Sequence, residues 1–147
     1  MTKWLWRGTV SKLIMDTVSR KKRSETMKAI KSSDTLLEKS FRRILTKAGY
    51  KYKKNIARLA GKPDIVFPKQ RVVIFLDSCF WHGCRRHCRF PNSNRVYWKN
   101  KIGRNKKRDK IVNRLYKNKE WKLLRFWEHK IKKNPEKIIA KLKSALE

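Results

Sequence analysis

The residues best equipped for chemistry crowd into one stretch, Leu76-Asp77-Ser78-Cys79-Phe80-Trp81-His82-Gly83-Cys84-Arg85-Arg86-His87-Cys88. All three cysteines of the chain lie in it. An even number of cysteines spread along the chain would suggest a disulfide scaffold. Thiols clustered beside His87 instead have the donor types of a tetrahedral Zn²⁺ site in a reducing, cytoplasmic compartment. Cys79, Cys84 and His87 supply three donors, and His129 and Cys88 compete for the fourth place. His129 is preferred, because a ligand from another element cross-links the fold, and the adjacent His87 and Cys88 less readily reach one ion together. His82 is surplus to that set. An imidazole titrating near neutrality can act as general base toward a water beside a phosphate. Asp109 is a candidate to orient its ring.

Acids are scarce, 11 against 42 Lys and Arg, so those at strand ends are informative. Asp64 follows Gly61-Lys62-Pro63 and opens the apolar run Ile65-Val66-Phe67. If that strand pairs with the one ending at Leu76-Asp77, two carboxylates and nearby main-chain oxygens meet at one end of a sheet. Such oxygen donors suit Mg²⁺, which takes one or two carboxylates together with phosphate and water. Glu38, from the preceding helix, is a further candidate alongside its capping role. Phe80 and Trp81 are adjacent aromatics of the kind a basic protein wedges between base steps, and Met27 is placed to do the same from the N-terminal segment.

The elements that must position these groups follow from the patterning. Thr35-x-x-Glu38 has the form of a capping box, and Leu37, Phe41, Ile44 and Leu45 recur at helical spacing up to Gly49, which predicts a helix over 35–48. Tyr50 to Lys54 alternates aromatic and lysine as an edge strand does. Gly61 and Pro63 mark a turn, and Asp64 to Phe67 with Arg71 to Leu76 read as a hairpin. Val96 to about Lys117 is helical, with Trp98, Ile102, Ile111 and Leu115 on or near one face and Arg104-Asn105-Lys106-Lys107-Arg108 as a basic patch. Trp121 to Trp127 reads as a third apolar strand, and Asn134-Pro135 starts a last helix carrying Ile138, Ile139 and Leu142. Ser19 to Lys31 reads either as a short helix capped by Ser24 or as an arm on phosphates. The expected architecture is a mixed α/β domain, a small sheet flanked by helices.

The whole carries a formal charge of +31 with 39% hydrophobic residues and six tryptophans in 147 residues. It can bury a core and is no disordered tail, and so much like charge on a folded domain points to nucleic acid. No apolar run approaches the roughly 20 residues a membrane span needs. A basic arm over 1–17 and one domain over 18–147 are expected.

Four segments resemble the very-short-patch repair (Vsr) DNA mismatch endonucleases. They are Gly61-Lys62-Pro63-Asp64-Ile65-Val66; Val73-Ile74-Phe75-x-Asp77-x-Cys79-Phe80-Trp81-His82-Gly83-Cys84-x-x-His87; Tyr97-Trp98-x-x-Lys101-Ile102-x-x-Asn105-x-x-Arg108-Asp109; and Trp121-Lys122-Leu123-Leu124-Arg125-Phe126-Trp127-Glu128-His129. The resemblance runs from about Val18 to His129. It implies a restriction-endonuclease-like fold and a Mg²⁺-dependent nick in one strand, 5′ to the mispaired thymine of a T:G mismatch. It assigns Asp64 and the Leu76 main-chain carbonyl to Mg²⁺, His82 to catalysis with Asp109 in support, and Glu38 to an acid position on the first domain helix. It assigns Phe80, Trp81 and Met27 to intercalation, and Cys79, Cys84, His87 (or Cys88) and His129 to structural Zn²⁺. Leu76 and Asp77 depart from the best-known member, which has Thr and His there. A main-chain ligand tolerates Leu76, whereas Asp77 changes the charge beside the metal and joins the catalytic candidates. The expected partner is double-stranded DNA with a T:G mismatch, with other repair proteins alongside and the enzyme itself a monomer. The competing readings are a restriction-type DNA endonuclease with another target and a non-catalytic, zinc-dependent nucleic-acid binder.

Overall fold

In the computed structural model the described residues are Ser19, Lys21, Lys22, Glu25 and 34–147. The arm over 1–17, the Ser24 cap and Met27 lie outside them, while Lys21, Lys22 and Glu25 take helical backbone. Helix α1 (Leu36–Lys47) starts on the capping box read from sequence. The Thr35 side chain accepts from the Glu38 N–H and the Glu38 carboxylate accepts from the Thr35 N–H, each at 3.3 Å. Phe41 and Leu45 are fully buried on its inner face. Ala48 ends the helix, and Gly49 follows at φ +79°, a left-handed turn that glycine adopts without steric penalty.

The sheet has four strands in the order β1 (Lys53–Lys54), β2 (Ile65–Phe67), β3 (Val72–Asp77), β4 (Lys122–Trp127). β1, β2 and β3 are antiparallel neighbours, and β3 and β4 run parallel. The edge strand is shorter than the alternation over Tyr50 to Lys54 suggests. Tyr50 and Tyr52 pack their rings edge-on to Phe67, and only the two lysines join the ladder. Parallel strands need a long crossover, which helix α2 (Arg95–Asn118) supplies between β3 and β4. A short helix α3 (Glu128–Lys133), absent from the sequence reading, follows β4, and α4 (Pro135–Leu146) begins with Pro135 in its first turn.

Strand alternation splits the core between the two faces of the sheet. Val72, Ile74 and Leu76 pack with Phe41 and Leu45 of α1, Ile131 of α3 and Ile138 and Leu142 of α4. Val73 and Phe75 face Val112 and Tyr116 of α2. This corrects one expectation. Ile111 and Leu115 are 52% and 41% exposed, and Val112 and Tyr116, with Trp98 and Ile102, form the buried face of α2. Among the described residues no helix is long and apolar enough to cross a membrane. The architecture is mixed α/β, a small four-stranded mixed sheet flanked by helices.

Candidate active site and metal centre

Three carboxylates converge at the open end of the β2–β3 hairpin. The Asp64 N–H donates to the Ile74 carbonyl at 3.0 Å, which extends the ladder one residue past β2. Its carboxylate accepts the Leu76 N–H at 2.7 Å, tying the acid to the C-terminal end of β3. Burial pushes the Asp64 carboxyl up to about 6; repulsion from Glu38 and Asp77 adds to the rise, and the Leu76 N–H and His82 work against it. Two negative neighbours and partial burial disfavour a bare carboxylate here, and oxygen donors so grouped have the chemistry that suits a hard cation. Glu38 is buried and held by its own cap. Its carboxylate accepts from the Asp34 N–H at 2.9 Å and the Thr35 hydroxyl at 3.0 Å, and Arg42 lies 3.6 Å away.

On the α2 side of the sheet, four charged or titratable groups close a ring. Asp109 on α2 accepts from His82 Nδ1 at 2.7 Å through Oδ2 and from Arg125 Nη2 at 3.2 Å through Oδ1. Arg125 also donates through Nη1 to Asp77 Oδ1 at 2.6 Å, and Asp77 Oδ1 lies 3.5 Å from His82 Nδ1. Burial works against the Asp109 carboxylate, but the His82 hydrogen bond and the Arg125 charge outweigh it and hold its pKa below the ordinary value. Asp77 is more deeply enclosed, and there burial wins over His82 and Arg125 and raises its pKa. A carboxylate against Nδ1 requires the proton on that nitrogen, which leaves Nε2 with a lone pair. The ring His82–Asp109 therefore has the form of an oriented general base.

The loop after β3 carries the thiols. Within it Cys84 N–H donates to the Cys79 carbonyl at 2.9 Å, and Gly83 turns the chain at φ +62°. Cys79, Cys84, His87 and His129 bring their donor atoms within 4.8 Å of one another. The sulfur–nitrogen separations are 3.3, 3.5, 3.8 and 4.0 Å. A tetrahedral ion with bonds of about 2.3 Å to sulfur and 2.0–2.1 Å to nitrogen sets those edges at about 3.5 Å, so the donor set fits Zn²⁺ in both chemistry and size. Cys88 stands apart, its Sγ directed to the Phe80 carbonyl at 3.6 Å. Burial disfavours the Cys84 thiolate, yet N–H groups of Arg86 and His87 and the His87 ring bring its pKa down to about 7, whereas burial lifts Cys79 to about 11. His129 reaches the cluster from the first turn of α3, so the short helix missed in sequence is what delivers the fourth donor. Glu128 beside it accepts the Cys79 N–H at 3.2 Å.

Phe80 and Trp81 lie on the same loop, half-buried and packed edge to face with ring centroids 5.1 Å apart. Beneath them Trp98 of α2 meets Phe80 at 5.2 Å and Trp81 at 5.8 Å. Asn105 on α2 donates to the Trp81 carbonyl at 2.9 Å and fixes the loop from below. Arg104, Lys106, Lys107 and Arg108 are exposed on the same helix. Sequence reasoning assigned Trp98 only to a helix face and passed over Arg125. The available signal for Arg125 was a lone charge in the apolar run Leu123-Leu124-Arg125-Phe126-Trp127.

Over residues 15–89 the chain matches the family model of the DNA mismatch endonuclease Vsr. The chain belongs to the Vsr family. Vsr relatives cover most of its length. It is 44% identical to the Type II nicking enzyme V.NaeI of Lentzea aerocolonigenes over 112 residues, 73% of this chain and 68% of that protein. It is 35% identical to the Type II nicking enzyme V.HpaIIP of Haemophilus parainfluenzae over 135 residues, 90% of this chain and 96% of that one. With the DNA mismatch endonuclease Vsr of Escherichia coli it shares 37% identity over 109 residues, 72% of this chain and 69% of that one. This Vsr-family chain is accordingly a DNA mismatch endonuclease.

Proposed function

We propose that the protein nicks one strand of duplex DNA 5′ to the mispaired thymine of a T:G mismatch. The observation that carries this reading is the meeting, at one end of the sheet, of a half-buried Asp64 carboxyl flanked by Glu38 and Asp77 with His82 oriented by Asp109. Asp64 and the Leu76 main-chain carbonyl would hold Mg²⁺. When bound, that ion supplies positive charge against the phosphate as it becomes more negative in the transition state. His82 Nε2 takes the proton from the attacking water, and the imidazolium so formed is stabilised by Asp109 across the 2.7 Å contact. Glu38, fixed by its cap, adds negative potential that favours the cation. Asp77 faces His82 and Arg125 rather than solvent, which supports a role in holding the base.

Phe80 and Trp81 supply the mismatch probe. Stacking them between base steps costs a few kcal/mol of unstacking, least at a mispair. Trp98 and a Zn²⁺ held by Cys79, Cys84, His87 and His129 give that probe a rigid base. The exposed cations of α2 meet phosphates and set no sequence preference. Relatives named as nicking enzymes support a cut in a single strand. We read residues 18–147 as one restriction-endonuclease-like domain, active as a monomer and preceded by a basic arm over 1–17, with Met27 near the start of the domain as a further intercalating group. Incubating the protein with Mg²⁺ and either a T:G or a T:A duplex tests the reading. It predicts a nick in the thymine strand of the T:G duplex alone, and equal cutting of both duplexes would refute it.

A further inference from the structure

We infer that Arg125 is a positioning residue for the nicking reaction, a clamp that holds Asp109 against His82 by anchoring it to Asp77 on the neighbouring strand. The inference rests on the assignment of His82 as general base. The guanidinium is used on all sides. Nη1 donates to Asp77 Oδ1 at 2.6 Å, Nη2 to Asp109 Oδ1 at 3.2 Å, and Nε to Asn113 Oδ1 at 2.9 Å. Its plane lies over the Phe75 ring, 4.7 Å from the centroid. Parallel register explains the reach, since Arg125 pairs with Phe75 and Asp77 lies two residues along the same face of β3.

The consequence is geometric. Asp109 and Asn113 stand one turn apart on α2, so the fork holds that helix to the sheet at the level of the active loop. Asp109 has one oxygen on Arg125 and the other on His82, so its carboxylate cannot rotate without breaking one of the two bonds. A lysine, with one charged point and no fork, cannot hold Asp77, Asp109 and Asn113 at once. The side chain is only 16% exposed, which argues against a phosphate contact. Asp77 completes the device as counter-ion to Arg125, which gives the departure at that position a partner on the adjacent strand.

Single-turnover nicking and duplex affinity, measured separately on Arg125→Met, Arg125→Lys and the double variant Asp77→Asn/Arg125→Met, test this. Misplacing a catalytic group by about 1 Å costs on the order of 10²-fold in rate, and that loss is expected in Arg125→Met with T:G duplex affinity and zinc content unchanged. Arg125→Lys keeps the charge and stays well below the wild-type rate. The double variant guards against misfolding, because it removes the buried carboxylate that Arg125→Met would orphan, and it stays as slow as Arg125→Met. A full rate in Arg125→Lys or in the double variant overturns the clamp, since charge alone then suffices. Weakened affinity with a salt slope lower by about one overturns it in favour of a phosphate contact. If Asp64→Asn and His82→Ala are inactive while Arg125→Met is fast, the clamp fails alone. If His82→Ala nicks like wild type, the base assignment fails and the clamp falls with it.

Discussion

Asp64→Asn is expected to abolish nicking and to make the protein more stable. The substitution keeps the shape of the side chain and leaves an oxygen to accept the Leu76 N–H, now at 2.7 Å from the carboxylate. It removes the charge and exchanges the second acceptor oxygen for an NH₂ donor. Folded, the Asp64 carboxyl binds its proton up to about pH 6, against an ordinary 3.8, chiefly because it is buried and secondarily because Glu38 and Asp77 repel its anion. One decade of proton affinity is worth about 1.4 kcal/mol, so holding Asp64 ionised costs the fold about 2–3 kcal/mol at neutral pH. A carboxyl that binds its proton more tightly folded than unfolded makes stability fall as pH rises between those two values. The advantage of Asp64→Asn should thus be near zero at pH 3.8, grow through about pH 6 and remain level above it. At pH 8 it corresponds to a rise in melting temperature of about 4–10 °C for a chain of this length. Metal-free urea unfolding at several pH values measures the difference directly. Added Mg²⁺ should stabilise the wild type more than the variant, because only the wild type gains a partner for its carboxylate. An Asp64→Asn protein no more stable than wild type at pH 8, or equally stabilised by Mg²⁺, would refute the picture of a charge held in waiting for a cation.

Three further outcomes follow from the site. His82→Ala should lower the nicking rate by about 10²–10⁴-fold with duplex affinity intact, and Asp109→Asn should fall in the same direction because an amide has one acceptor oxygen for the two donors, Arg125 and His82, and no charge to stabilise an imidazolium; parallel rate and gel-shift measurements check both. Cys84→Ser should lose zinc by metal analysis and melt at lower temperature, whereas Cys88→Ser, whose thiol points at the Phe80 carbonyl, should retain both metal and stability. Trp81→Ala should bind T:G duplex less tightly by about 1–3 kcal/mol, the worth of one base–aromatic stack, with little change on matched DNA, as titration of both duplexes would reveal.

Much of this site is written locally in the chain, and locality decides what was legible. The Thr35/Glu38 cap, the turn before Asp64 and the hairpin to Asp77 are set by residues a few positions apart, and the structure has each of them. The pairing of Asp64 with the end of β3 follows from the hairpin register, so the carboxylate cluster could be anticipated. Arg125 could not be placed. Its partners lie 48 and 16 residues away, and only the parallel register of β3 and β4 brings them together. The face of α2 was misread for a related reason. Ile111 and Leu115 are apolar at helical spacing, as are Val112 and Tyr116, and only the sheet decides which pair is buried. The choice between His87 and Cys88 depends on the direction each side chain leaves the loop, a property of the turn from Cys84 to Cys88 that spacing leaves open.

In the proposed reaction Asp64 and His82 form one nicking site aimed by Phe80 and Trp81 at a mispaired thymine. A duplex labelled on both strands, presented as T:G and as T:A to wild type and Asp64→Asn with Mg²⁺, tests it most directly. One labelled product is expected, from the thymine strand of the T:G duplex with wild type, ending immediately 5′ to the mispaired thymine. Cutting by Asp64→Asn at the wild-type rate, or equal cutting of the T:A duplex, would contradict it.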